Sequence, residues 1–127
     1  MKEIIIHCSD TPNGREDTAE DIHRWHTDKG WDGIGYHYVI EVSGKLSHGR
    51  PEYWKGSHAY GHNTDSIGIC MIGTNEFNDR QWYMLENLIR EKIIENEGVK
   101  VIGHNEVSAK TCPGFDVQKW LSSINLI

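Results

Sequence analysis

The segment His104-Asn-Glu-Val-Ser-Ala-Lys-Thr-Cys112 places an imidazole, an ammonium and a thiol in one short stretch that opens onto Pro113-Gly114. A zinc site that performs chemistry keeps three nitrogen or sulfur ligands from the protein and leaves the fourth position to water, so His104 and Cys112 require one further ligand. His7 is the candidate, because it follows the apolar run Ile4-Ile5-Ile6 and precedes the loop Cys8-Ser-Asp-Thr-Pro12. His7 and His104 each stand just past an expected strand, where sheet ends share a rim, and Cys112 returns to that rim after a loop. Two imidazoles and a thiolate suit one zinc ion; magnesium or calcium would ask for oxygen ligands, and copper or iron would put the thiol at risk of oxidation. The metal itself would enforce deprotonation of the thiol.

Two further groups are placed to act beside such an ion. Lys110 lies two residues before Cys112, so in an extended loop both side chains point to the same side. Tyr36, in Gly33-Ile-Gly-Tyr36-His37-Tyr38, begins an expected strand after two glycines that permit close backbone approach, so its phenol can reach the rim. The chain has eight histidines, and most must be ordinary packed or surface imidazoles. In Ser57-His58-Ala59-Tyr60-Gly61-His62 the H-x-x-x-H spacing would put two imidazoles on one helix face, but Gly56 and Gly61 argue against a helix. His58 is therefore expected as a substrate-binding pocket residue and His62 as a loop residue. His23, His26, His37 and His48 are read as ordinary, and Cys8 and Cys70 as small buried hydrophobes.

The elements that must hold these groups follow from apolar runs bounded by turn residues. Strands are expected near Glu3 to His7, Tyr36 to Val42, Lys45 to His48, Ser66 to Ile72 and Val99 to Gly103, the second and third forming a hairpin around Ser43-Gly44. A first helix is expected from Thr18, with Asp21 completing a capping box and Ile22 and Trp25 inward, to a stop at Gly30. A second, capped by Asp79, carries Trp82, Leu85, Leu88, Ile89 and Ile93 at helical spacing and ends before Gly98. A short third helix capped by Asp116, with Phe115 stapled against Trp120 and Leu121 and Ile124 inward, would anchor the Cys112 loop. The fold class is mixed α/β (α+β): one domain, residues 1–127, with a central mixed sheet flanked by helices.

At 127 residues and 37% hydrophobic content the chain has room for one core and no separate binding module. A net charge of -6 without a Lys/Arg cluster argues against nucleic acid, since affinity there rests on neutralising phosphates. The short apolar run near Met1 falls far below a signal peptide or a membrane span, so synthesis in the cytoplasm and no stable membrane association are expected. An odd number of cysteines fits reduced thiols or metal ligation better than a disulfide framework. Monomer is the default state.

With Ile6-His-Cys-Ser9, Trp25-His26, Gly30-Trp31, Gly35-Tyr-His37, Gly56-Ser-His-Ala59, Asn63 to Gly68 and His104 to Asp116 in order along nearly the whole chain, the sequence resembles the zinc-dependent N-acetylmuramoyl-L-alanine amidases. That family also includes the peptidoglycan recognition proteins, and the likeness is nearest to its small phage amidase-type lysozymes. The resemblance implies an amidase-like fold, His7, His104 and Cys112 as ligands of one zinc ion, and Tyr36 and Lys110 as the other residues needed for amide hydrolysis. It implies peptidoglycan or a muropeptide as substrate, cut between N-acetylmuramic acid and L-alanine, and the role of a phage or prophage lysis enzyme that reaches the wall after membrane permeabilisation. Relatives that only bind peptidoglycan have lost the cysteine and the metal, so Cys112 favours an enzyme. The phage lysozymes carry a longer amino-terminal segment that contributes to contact with the phage RNA polymerase; only two residues precede Glu3 here, and that partner is not carried over. A binding module without catalysis, and a structural zinc domain closed by Cys8 or His37, are the competing expectations.

Overall fold

The computed structural model describes residues 1–127 and contains five strands and three helices in the order β1 (Glu3–Cys8), α1 (Ala19–Asp28), β2 (Tyr38–Ile40), β3 (Leu46–His48), β4 (Ser66–Met71), α2 (Asp79–Glu95), β5 (Lys100–Gly103) and α3 (Val117–Ser123). A single 3₁₀ turn, His104–Glu106, follows β5 directly. The strands form one sheet in the order β3-β2-β4-β1-β5. β2 and β3 are the antiparallel hairpin; every other pair is parallel. The expected mixed sheet is therefore present, but the strand expected over Tyr36 to Val42 is shorter, and Tyr36 lies ahead of it. The Gly49 and Arg50 amides return to the His37 and Tyr36 carbonyls outside the ladder.

β1 and β4 are central, parallel strands covered on both faces, which explains why they read as continuous apolar runs. Successive side chains alternate between the faces. Ile4 and Ile6 join Tyr38, Ile40, Ile67, Ile69 and Met71 beneath Leu85, Leu88 and Ile89 of α2 and Val117 and Leu121 of α3. On the other face Val39 and Cys70 pack with Ile22 of α1, Ile34 and Ile72 in a smaller cluster. His7 belongs to this second face, one residue beyond Ile6.

The helix ends are set by side chains. Thr18 caps α1 and forms a capping box with Asp21, as its sequence predicts. α2 is capped by Asn78 rather than Asp79, because Asn78 and Gln81 form the reciprocal box and leave Asp79 as the first helical residue. Asp116 caps α3, where Leu121 is buried and Ile124, expected inward, is a half-buried C-cap. Phe115 packs on Trp82 and Trp120, with ring centroids 4.8 and 6.3 Å away, so the residues just after Cys112 are tied to α2. Gly114, at φ +86, passes so close to Thr74 that a Cβ would sit 2.0 Å from its carbonyl oxygen; no other residue fits there. No helix is long and apolar enough to cross a membrane.

Candidate metal centre and active site

The ladder brings the three ligand candidates together. In the parallel β1–β5 pair Ile6 stands opposite Gly103, so the next residues, His7 and His104, emerge side by side at the carboxyl ends of adjacent strands, the usual place for a site in an open α/β sheet. Their ring centroids are 4.5 Å apart. Cys112 closes the group from the anchored loop, with Sγ 3.8 Å from His7 Nδ1. The ligand atoms of His7, His104 and Cys112 all lie within 4.8 Å of one another. Around a zinc ion with ordinary bond lengths, tetrahedral ligand atoms are about 3.3 to 3.6 Å apart, so the trio needs only a small contraction. The Cys8 amide donates to Cys112 Sγ at 3.1 Å, a contact that favours negative charge on sulfur.

The chemistry of the donors also fits. Burial, with His58, His104 and Lys110 nearby, holds His7 well below the ordinary histidine value. Burial and the Lys110 charge do the same to His104. Both imidazoles are therefore neutral at pH 7, the form in which histidine can coordinate a metal. The neighbouring Cys8 thiol and burial push the Cys112 thiol up, so the metal-free protein carries it protonated and a cation must displace that proton to bind.

The trio sits in a cavity of about 620 Å³ with Tyr36, His58 and Lys110 on its lining and Trp25, His26 and Trp31 forming part of a further wall. Tyr36, between β2 and the rim, has its ring 5.1 Å from that of His7. Burial, and then the nearby cysteines, raise its phenol well above the usual value, which keeps it a neutral O–H donor. Lys110 is exposed, and its charge reaches both imidazoles. It thus lines the same cavity as Cys112, from a bend rather than an extended loop.

His58 borders the cavity, but both of its ring nitrogens have protein partners: His7 Nε2 at 2.9 Å and Ser66 Oγ at 3.2 Å. His62 lies apart, with Nδ1 3.0 Å from Glu3 Oε1. Two histidines read as ordinary carry structural work beside the site. His26 Nδ1 accepts the Gly35 amide, and His37 bridges the Gly68 amide and the Trp54 carbonyl. Periodicity could not reveal these roles, since each depends on a partner brought in by the fold; Gly35-Tyr-His37 and Gly56-Ser-His58 were the visible hints. Cys8 is buried, as a small hydrophobe should be, and its backbone amide donates to the Cys112 sulfur.

A family model described as N-acetylmuramoyl-L-alanine amidase matches residues 1–115, which takes in every site residue above and stops short of α3. The endolysin of Escherichia phage T7 is 34% identical over 132 residues, covering 98% of this chain and 87% of that protein. Among solved structures, the N-acetylmuramoyl-L-alanine amidase LysC from Clostridium intestinale superposes with a TM-score of 0.87 at 29% identity, over 98% of this chain and 85% of that one. Drosophila PGRP-LB, solved as a mutant in complex with tracheal cytotoxin, gives 0.83 at 28% identity, over 95% of this chain and 79% of its own.

Proposed function

Because the chain belongs to the N-acetylmuramoyl-L-alanine amidase family, we propose that His7, His104 and Cys112 hold one zinc ion and that Tyr36 and Lys110 act on the substrate beside it. The enzyme is an N-acetylmuramoyl-L-alanine amidase: it hydrolyses the amide between N-acetylmuramic acid and L-alanine in peptidoglycan and serves as a lysis enzyme of the endolysin type. The observation that carries the site assignment is the convergence of the three ligand atoms within 4.8 Å on the wall of the cavity.

When bound, zinc supplies an activated water at neutral pH and polarisation of a carbonyl. The protein supplies the rest. Lys110 places a positive charge where the amide oxygen becomes an oxyanion, a contribution whose loss typically costs about 3 to 4 kcal/mol. Tyr36, held as a neutral phenol, donates its O–H to the same oxygen or orients the attacking water. The wall of Trp25, His26 and Trp31 offers aromatic surface to the muropeptide. Residues 1–127 act as one catalytic domain and as a monomer, reaching the wall once the membrane has been permeabilised.

The test follows release of alanine amino groups from purified peptidoglycan, with reducing sugars measured in parallel, before and after chelation and zinc return. New alanine termini that vanish with chelator and return with zinc are expected. Saturable binding without release would make the chain a recognition module instead.

A further inference from the structure

We propose that His58 is a positioning residue for the metal site, holding His7 in the tautomer that leaves Nδ1 free for the ion. The inference rests on the reading of His7 as a ligand. It starts at the far end of a chain of hydrogen bonds. The Ser66 hydroxyl donates to the His62 carbonyl at 2.6 Å, and a hydroxyl has one proton to give. Ser66 Oγ can then only accept from His58 Nε2, 3.2 Å away. With its proton on Nε2, neutral His58 presents Nδ1 as an acceptor, and that nitrogen faces His7 Nε2 at 2.9 Å. His7 must therefore carry its proton on Nε2. Its Nδ1 lone pair is left directed at the centre, 3.8 Å from Cys112 Sγ. One backbone carbonyl fixes the tautomer of a ligand three hydrogen bonds away.

The ring that transmits this has no freedom to do otherwise. His58 lies in a slot between two glycines: a Cβ on Gly68 would stand 2.5 Å from its Cγ, and one on Gly56 2.6 Å from its Cδ2. Asn63 Oδ1 accepts the amides of both His58 and Ala59, at 2.8 and 2.9 Å, and so fixes the backbone beneath the ring. The His37 ring packs against it edge-on at 5.7 Å. With both nitrogens engaged inside the protein, His58 keeps no polar atom for substrate.

Ligating histidines usually donate their second N–H to a carboxylate, a carbonyl or water, and loss of that partner typically lowers metal affinity about 10- to 100-fold. Here the acceptor is a neutral imidazole, which orients His7 without adding charge.

The experiment compares wild type with His58→Phe, which fills the slot without an acceptor, and His58→Asn, whose amide oxygen can occupy the place of Nδ1. Zinc affinity is read by competition with a chromophoric chelator, kcat and KM are measured separately at saturating zinc, and the His7 tautomer is read from imidazole nitrogen shifts. The expected result is an Nε2–H tautomer for His7 in wild type, about 10- to 100-fold weaker zinc binding in His58→Phe, and recovery of most of that loss in His58→Asn, with KM little changed. Unchanged zinc affinity in His58→Phe with a raised KM would overturn the proposal and make His58 a substrate contact. An Nδ1–H tautomer for wild-type His7 would overturn it as well. A wild type that binds no zinc would instead overturn the reading on which the proposal stands.

Discussion

Ile6 and His7 are neighbours in β1 and almost equally buried, at 0% and 1% exposed, yet they face layers held together in different ways. Ile6 looks into the layer under α2 and α3, where Ile, Leu and Met side chains fill space and interchange of shape matters more than identity. His7 looks into the layer that carries the site, where His26, His37, His58 and Ser66 each satisfy a named partner. The first layer supplies stability through area removed from water. The second spends polar groups on orientation, and each of those groups has a partner it cannot exchange. The difference is that damage to the first should cost folding and spare chemistry, and damage to the second should do the reverse.

The sharpest way to break this division is Cys112→Ser. Turnover of peptidoglycan should fall to background and zinc should be lost on dialysis, as metal content measured beside alanine release would show. A serine variant that kept both would remove Cys112 from the centre. Lys110→Ala comes next: kcat should drop about 10²- to 10³-fold, the usual cost of one oxyanion donor, while zinc content and melting temperature stay as in wild type. Full turnover in that variant would end its proposed role. On the opposite face Leu85→Ala should destabilise the fold by about 2 to 5 kcal/mol, measured by urea unfolding, with zinc affinity and kcat per folded molecule unchanged. A parallel loss of zinc affinity would mean that the two layers are coupled through β1.

The same division decided what could be read from the sequence. Elements of the apolar layer were legible because burial leaves a period: Leu85, Leu88 and Ile89 mark a helix, and the isoleucines of β1 mark a covered strand. The convergence of His7, His104 and Cys112 was legible because thiol and imidazole types are rare enough to weigh singly, and adjacent strand ends bring His7 and His104 together as expected. The supporting shell was not. That His58 meets His7 depends on a loop closing across 51 positions, and that Ser66 can only accept depends on a carbonyl four residues away; neither leaves a pattern in composition or spacing. Asn78 displaced Asp79 as the cap of α2 for a local reason, since only Asn78 has Gln81 at the third helical position to complete the box. Tyr36 was placed at the rim correctly but assigned to a strand that begins only at Tyr38.

The smallest effect expected is a difference in acid sensitivity between the layers. With metal chelated, burial and then the charges of Lys29 and Arg50 lower His26 from 6.5 to about 4, and burial with His37 lowers His58 to about 3. Unfolded histidines titrate near 6.5, so as the pH falls below that value the unfolded chain takes up protons that the folded chain refuses. Stability contributed by these neutral rings is therefore complete above the unfolded value and declines as the pH drops from about 6.5 towards 4. Carboxylates titrate mainly lower, which leaves the upper part of this window to the histidines. The urea midpoint of the chelated protein should fall between pH 6.5 and 5.5, and His26→Gln should flatten part of that slope, because a glutamine amide keeps polarity without titrating. Leu85→Ala should shift the whole curve downward and leave its slope alone. A midpoint indifferent to pH across this interval would show that the site layer accepts protons without loss, and the contrast between the two faces of β1 would then rest on metal binding alone.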